Sequence, residues 1–95
     1  MSAYVIVDIE ITDPVRYEEY RRLAAPTVTA HGGRYLVRGG GVEMLEGDRT
    51  PHRVVVLEFP SVERARAWWD SADYRPARAI RQASARTDMM LVAGV

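Results

Sequence analysis

Two ionisable residues stand inside runs otherwise suited to strands: Arg38 in RYLVR and Glu58 in RVVVLEF. Strand alternation groups Arg38 with Arg34 and Leu36, and Glu58 with Val54 and Val56. Both are expected on the sheet face turned away from the helices. If a central hairpin brings them together, a guanidinium and a carboxylate share a largely apolar cavity. Either charge alone would be costly there, whereas a hydrogen-bonded pair is tolerated. As a site, Arg38 would bind a carboxylate, enolate or phenolate oxygen. Glu58 would orient Arg38 or accept a proton. The alternative is a pair that fixes strand register or a dimer interface.

Asp8 alternates onto the same face in the first strand. If it approaches Glu58, one of the two carboxyl groups is pushed up and an acid/base pair forms. The alternative leaves Asp8 near a strand end, facing water. Trp68, Trp69 and Tyr74 cluster around a break between two helical segments. Consecutive helical residues point about 100° apart, so one tryptophan fills the core and the other lies at its edge. Trp69 and Tyr74 are thus candidates to wall a pocket for a planar molecule, against plain core or interface packing. Tyr17 reads in the same way, as does Tyr20: helix-to-sheet packing, or a hydroxyl that reaches the pocket. His31 and His52, the only histidines, lack the spaced partners of a metal signature. No metal and no cofactor is expected. Gly39-Gly40-Gly41 lacks the Lys and Ser/Thr of a phosphate loop, and no helix start follows it; a bulge is the better reading. Arg75, Arg78 and Arg81 recur at helical spacing and read as a solvated face.

The elements that must position these residues follow from periodicity. AYVIVDIEI, residues 3–11, alternates a wholly apolar face (Val5, Val7, Ile9, Ile11) with a mixed one. Asp13-Pro14 is an N-cap followed by a first-position proline. A helix is expected from Pro14 to about Leu23, kinked or restarted by Pro26, with a shorter piece carrying Val28 inward to His31. Gly32-Gly33 stops it. A second strand starts at Arg34, is broken at Gly39–Gly41, and resumes over Val42–Glu46. The third strand is Arg53–Phe59. Ser61 caps a helix through Trp68 and Trp69 to about Asp70. Ser71–Tyr74 opens another helix, to about Ser84. Thr87–Ala93 is the last strand. The order is β-α-β-β-α-β with the second helix split, the ferredoxin-like pattern, in one domain over residues 1–95. The first and third strands are then central neighbours.

Helices cover only one face of such a sheet. The other face carries Ile6, Leu36, Val54, Val56, Met90 and Val92, too apolar for water. A symmetric homodimer with its sheets face to face is the simplest solution. Composition is ordinary: 47% hydrophobic, 27% charged, formal net charge zero. Neutral charge gives no long-range pull toward nucleic acid or anionic membrane. There is no cysteine, which excludes disulfides and thiol chemistry and suits a reducing cytoplasm. No signal peptide or membrane span is read. All 13 cationic side chains are arginine.

The chain resembles the domain-of-unknown-function 1330 family of the dimeric α/β-barrel superfamily. The resemblance spans nearly the whole chain. It rests on Thr12-Asp13-Pro14 with Tyr17 and Tyr20, on Gly32 through Gly40, on Leu45-Glu46-Gly47 and on Arg53 through Pro60. Ala67-Trp68-Trp69, Ser71, Tyr74 and Arg81 continue it. Ala72 stands where the family usually has proline. The family has no agreed activity; its superfamily includes cofactor-free quinol monooxygenases, lactone isomerases, haem-handling enzymes and small ligand-binding proteins. Haem-binding relatives use a helical histidine that the last helices here lack. The resemblance implies a homodimeric barrel with a small-molecule pocket. In the family reading, Arg81 reaches a carboxylate of its own or the partner chain. The function then lies between cofactor-free proton transfer or oxygenation of a small acidic or phenolic molecule, non-catalytic ligand binding, and a purely structural dimer.

Overall fold

A computed structural model describes residues 1–95. The chain runs β1 (Ala3–Ile11), α1 (Pro14–Ala30), β2 (Arg34–Arg38), β3 (Arg53–Phe59), α2 (Val62–Asp70), α3 (Arg75–Ser84) and β4 (Ala85–Ala93). The four strands form one antiparallel sheet in the order β2-β3-β1-β4. This is the ferredoxin-like arrangement, with β1 and β3 central. No helix is long and apolar enough to cross a membrane.

Alternation sorts the strands as their residue types require. Val5, Val7 and Ile9 of β1 are buried against the helices, as are Val55, Leu57 and Phe59 of β3. Tyr4, Ile6, Asp8 and Glu10 face the other way, where no helix lies. That outer face leaves Met90 53% and Leu36 45% exposed, with Val37 and Val92 also open.

Asp13 caps α1 by accepting from the Arg16 amide at 3.2 Å. The amides of Thr12 and Asp13 both donate to the Ser84 carbonyl, tying the start of α1 to the end of α3. Helix α1 is one unbroken helix across Pro26, rather than the two pieces expected. Pro26 is exposed, as is Arg22, so water can reach the carbonyl that the missing amide would have used. Gly32, at φ +78°, ends the helix in a backbone conformation that side chains disfavour.

Ser61 caps α2 through the Arg64 amide. Between α2 and α3, the Ser71 hydroxyl donates to the Trp68 carbonyl at 2.7 Å and accepts from the Tyr74 amide at 3.2 Å. That double use fixes the break. Trp68 is fully buried and Trp69 is exposed on one side, as their angular offset requires. The Trp68 ring lies between Phe59, at 5.3 Å, and Tyr74, at 4.1 Å between centroids. Its indole N–H donates to Thr27 Oγ1 at 3.0 Å, and that hydroxyl donates to the Ala24 carbonyl at 2.6 Å. One buried threonine thereby satisfies the tryptophan and locks α2 to α1.

Two further expectations are corrected. Residues 42–46 form no strand, because no partner edge lies alongside and their side chains are exposed. The irregularity expected at Gly39–Gly41 falls inside β2 instead, between Tyr35 and Val37. Tyr35 opposes Leu57 and Val37 opposes Val56, so Leu36 is the extra residue of a bulge.

Candidate functional site

The bulge decides where Arg38 goes. Without it, Arg38 would share the outer face with Arg34 and Leu36. One extra residue reverses the parity, and Arg38 opposes Val55 on the helix side. There it stacks over the Tyr35 ring, 4.2 Å from its centroid, at the rim of a cavity between α1 and the sheet. Glu58 stays on the outer face opposite Arg34, and Arg34 Nε donates to it at 2.7 Å. The expected pairing of Arg38 with Glu58 therefore does not occur. Arg34 holds the Glu58 carboxyl below the usual carboxylate range, chiefly by that hydrogen bond.

Asp8 does not approach Glu58 either. Tyr4 is the residue opposite Glu58, and Asp8 opposes Val54. Four residues of strand, about 13 Å, separate the two positions. Asp8 instead accepts from the His52 amide at 2.8 Å and from Arg49 at 3.3 Å. It latches the returning end of the long connection between β2 and β3. Arg49 also bridges to Asp88 at 3.7 Å. No three His, Asp or Glu side chains converge as a metal-binding group would.

Three elements supply the polar side of the cavity, and Val7 and Ile9 of β1, Trp68 of α2 and Met89 of β4 close it with apolar groups. Helix α1 contributes Tyr17, Tyr20 and Arg21; β2 contributes Tyr35 and Arg38; β3 contributes Arg53, Val55 and Leu57. Its enclosed volume is about 30 Å³, room for roughly one water. The lining carries three arginines and three tyrosines and no Asp, Glu, His or Lys. Arg53 enters by the same alternation that buries Val55 and Leu57. Its Nε is buried with no hydrogen-bond partner. Its guanidinium also lies so close to Gly39 that a Cβ there would sit 2.1 Å from it. Gly39, at φ +74°, donates to the Val54 carbonyl and closes β2 over Arg53.

The tyrosines are held neutral. Burial pushes the Tyr17 hydroxyl up, against the opposing pull of Arg53. Tyr20 is pushed far up, first by burial and then by Tyr74, whose hydroxyl is 3.0 Å away. Burial raises Tyr35 as well, opposed by Arg38. At neutral pH these groups donate or accept hydrogen bonds but do not take a proton as phenolates would. A site with three cations and neutral hydroxyls favours an anion.

The structure brings Tyr17, Tyr20 and Arg38 of the expected site residues into this cavity. Tyr74 is fully buried behind it, in contact with its Tyr20 and Trp68 walls. Trp69 lies elsewhere, in a groove beside β4, with Arg78 over its ring at 4.1 Å. Glu58 and Asp8 lie on the outer face. Arg53 went unremarked in the sequence, although its period-two relation to Val55 and Leu57 marks it as inward.

A family model described as "Domain of unknown function (DUF1330)" matches residues 2–95. No functionally curated protein matches the sequence. Among solved structures, the chain is similar to a protein of unknown function from Rhodopseudomonas palustris. That likeness has TM-score 0.81 and 20% identity over 99% of this chain and 82% of that one. A dimeric ferredoxin-like protein of unknown function from Thermobifida fusca matches with TM-score 0.65 and 19% identity, over 99% and 92%. SnoaB, a cofactor-independent oxygenase from Streptomyces nogalater, matches with TM-score 0.64 and 12% identity, over 99% and 93%. At such identities the likeness shows the fold.

Proposed function

We propose, from the premise that this chain belongs to the DUF1330 family, that it is a homodimer that binds a small acidic or phenolic molecule as its anion. The binding place is the cavity between α1 and the sheet. One observation carries the reading: a buried Arg53 Nε without a partner, in a lining that has three guanidinium groups and no carboxylate. A half-buried guanidinium with an orphaned donor is stabilised by a counter-charge, and here a ligand oxygen would supply it. The Tyr17 hydroxyl beside Arg53 would donate to the same oxygen. Because the closed cavity holds about one water, the ligand must displace Arg38. That side chain is exposed and held over Tyr35 by stacking, so it can swing outward.

The lining has no general base, so the molecule must arrive ionised or lose its proton to water. Proton transfer within the bound anion, or its reaction with dioxygen, is the cofactor-free chemistry open to it. The likeness to a cofactor-independent oxygenase supports this direction. The homodimer reading rests on the apolar outer face and on the dimeric ferredoxin-like neighbours. In it, Glu58 and Arg34 set the register of the two sheets and take no part in binding.

A thermal-shift titration of the purified protein with salicylate, and with neutral benzyl alcohol as the control, tests the site. Ligand at a hundred times its Kd adds about 2.7 kcal/mol of stability. Salicylate should raise Tm in wild type and in Glu58→Gln, and fail to do so in Arg53→Gln. Arg38→Ala, which removes the side chain the ligand must displace, should leave the shift in place. No salicylate shift in wild type, or an equal one in Arg53→Gln, overturns the reading. Oxygen uptake with a hydroquinone then separates an oxygenase from a binding protein.

A further inference from the structure

We propose that the groove beside β4 is a second binding site, for an organic carboxylate with an apolar body, and that Arg81 pairs with its carboxylate. The inference stands apart from the cavity of Tyr17 and Arg53, since the two linings share only Met89.

Arg81 sits on α3 within the buried stripe Tyr74, Ala77, Arg81 and Ser84. It does not lie on a solvated face with Arg75 and Arg78, as helical spacing suggested. Its residue exposure is 3%. Its NH1 donates to Thr87 Oγ1 at 2.5 Å, and its Nε is buried with no partner. No Asp or Glu forms a salt bridge with it, although five arginine–carboxylate pairs occur elsewhere in the chain. A guanidinium this buried, held by one neutral hydroxyl, lacks its counter-ion.

The space in front of it is the right size to supply one. The groove, half open to solvent, offers about 400 Å³, within the range of small-molecule sites and far above the water-sized cavity. Met89 and Leu91 of β4, with Ala65 of α2, give it apolar walls. Trp69 forms a side, its ring steadied by Arg78. Arg66 adds a second cation at the exposed rim, and no acidic residue lines the groove. The chemistry is thus polarised: a deep, fixed cation, flat or flexible apolar walls, and a cationic mouth. A monocarboxylate with a long aliphatic chain satisfies all three. A free phosphate would leave the apolar walls in water, and a neutral lipid would leave Arg81 unpaired.

Octanoate and 1-octanol are the probes, a carboxylate and its neutral counterpart. Calorimetry should show octanoate binding to wild type, with 1-octanol at least tenfold weaker. Arginine Nε–H NMR of wild type should show one resonance shifted by octanoate, and that resonance should be missing from Arg81→Gln. Affinity for octanoate should fall at least tenfold in Arg81→Gln and hold in Arg53→Gln, which separates this site from the cavity. If Arg81→Gln does not fold, Leu91→Trp, which fills the groove and leaves Arg81 in place, should abolish binding instead. Failure of octanoate to bind wild type overturns the proposal, as does equal binding by the folded variants. So does dissociation of Arg81→Gln into monomers with wild type blind to octanoate, because a partner-chain carboxylate would then be the missing counter-ion.

Discussion

Replacing Arg53 with methionine is expected to stabilise the free protein while silencing its response to salicylate. The Nε of Arg53 is buried without a partner, and an unsatisfied buried donor costs about 1–3 kcal/mol. Methionine keeps an unbranched apolar stem between Tyr17 and Gly39 and removes that donor. The substitution also removes the favourable contact between the guanidinium and the Tyr17 hydroxyl, worth roughly 1 kcal/mol. The net gain is about 1 kcal/mol, which for a domain of this size raises Tm by about 4–8 °C. Differential scanning calorimetry with and without salicylate measures both effects on the same samples. A fall in Tm of several degrees would show that Arg53 has a partner the geometry does not reveal. Were the salicylate shift to survive as well, the argument from the orphaned Nε would be refuted altogether.

Other expectations are sharp enough to fail. Thr27→Val strands the buried Trp68 indole N–H and should cost about 1–3 kcal/mol in urea unfolding. Thr27→Ser should recover most of that; equal loss in both would assign the effect to packing. Tyr17, Tyr20 and Tyr35 are all raised by burial, whereas in the unfolded chain they ionise near about pH 10. Their contribution is present below that value and is lost as pH rises above it, because the unfolded state then releases protons first. Stability measured from pH 8 to 12 should decline above about 10, and Tyr20→Phe should flatten the decline. Glu58 shows the opposite sign: its lowered folded value means that the Arg34 pairing stabilises above about pH 4.3 and is lost as pH falls through the folded value. The gap between wild type and Glu58→Gln should therefore close on acidification; a gap independent of pH would leave the pair without a stabilising role.

Much of the fold was legible because β1 and β3 alternate cleanly and the helix starts carry capping side chains. Asp13, Ser61 and Ser71 all make the hydrogen bonds their types suggest. The site was less legible, for a specific reason. Leu36 and Val37 are both apolar, so nothing in their chemistry tells which is the extra residue of the bulge. One residue of register then moved Arg38 from the outer face to the helix side, while Glu58 pairs with Arg34 on the stretch of ladder before the bulge. Arg53 could have been found, since it follows the inward period of Val55 and Leu57. Arg81 could not be separated from Arg75 and Arg78 by spacing alone. The buried stripe of α3 runs at intervals of three and four residues, and only packing against α1 and β4 selects its phase. Pro26 misled because its effect depends on which side of α1 faces water.

The strand order has a consequence for how the molecule comes into being. β1 lies in the middle of the sheet, yet its partners β3 and β4 start at residues 53 and 85. Ala3 opposes Ala93. Only the β2–β3 ladder joins strands adjacent in sequence. On a ribosome, the first apolar strand to emerge must wait for nearly all the rest before both its edges are covered. Its interval of exposure is set by elongation rate rather than by local propensity, and loop-closure entropy slows the final docking. Slow synthesis of the segment between β1 and β3 would prolong the time in which that strand can pair with the wrong chain.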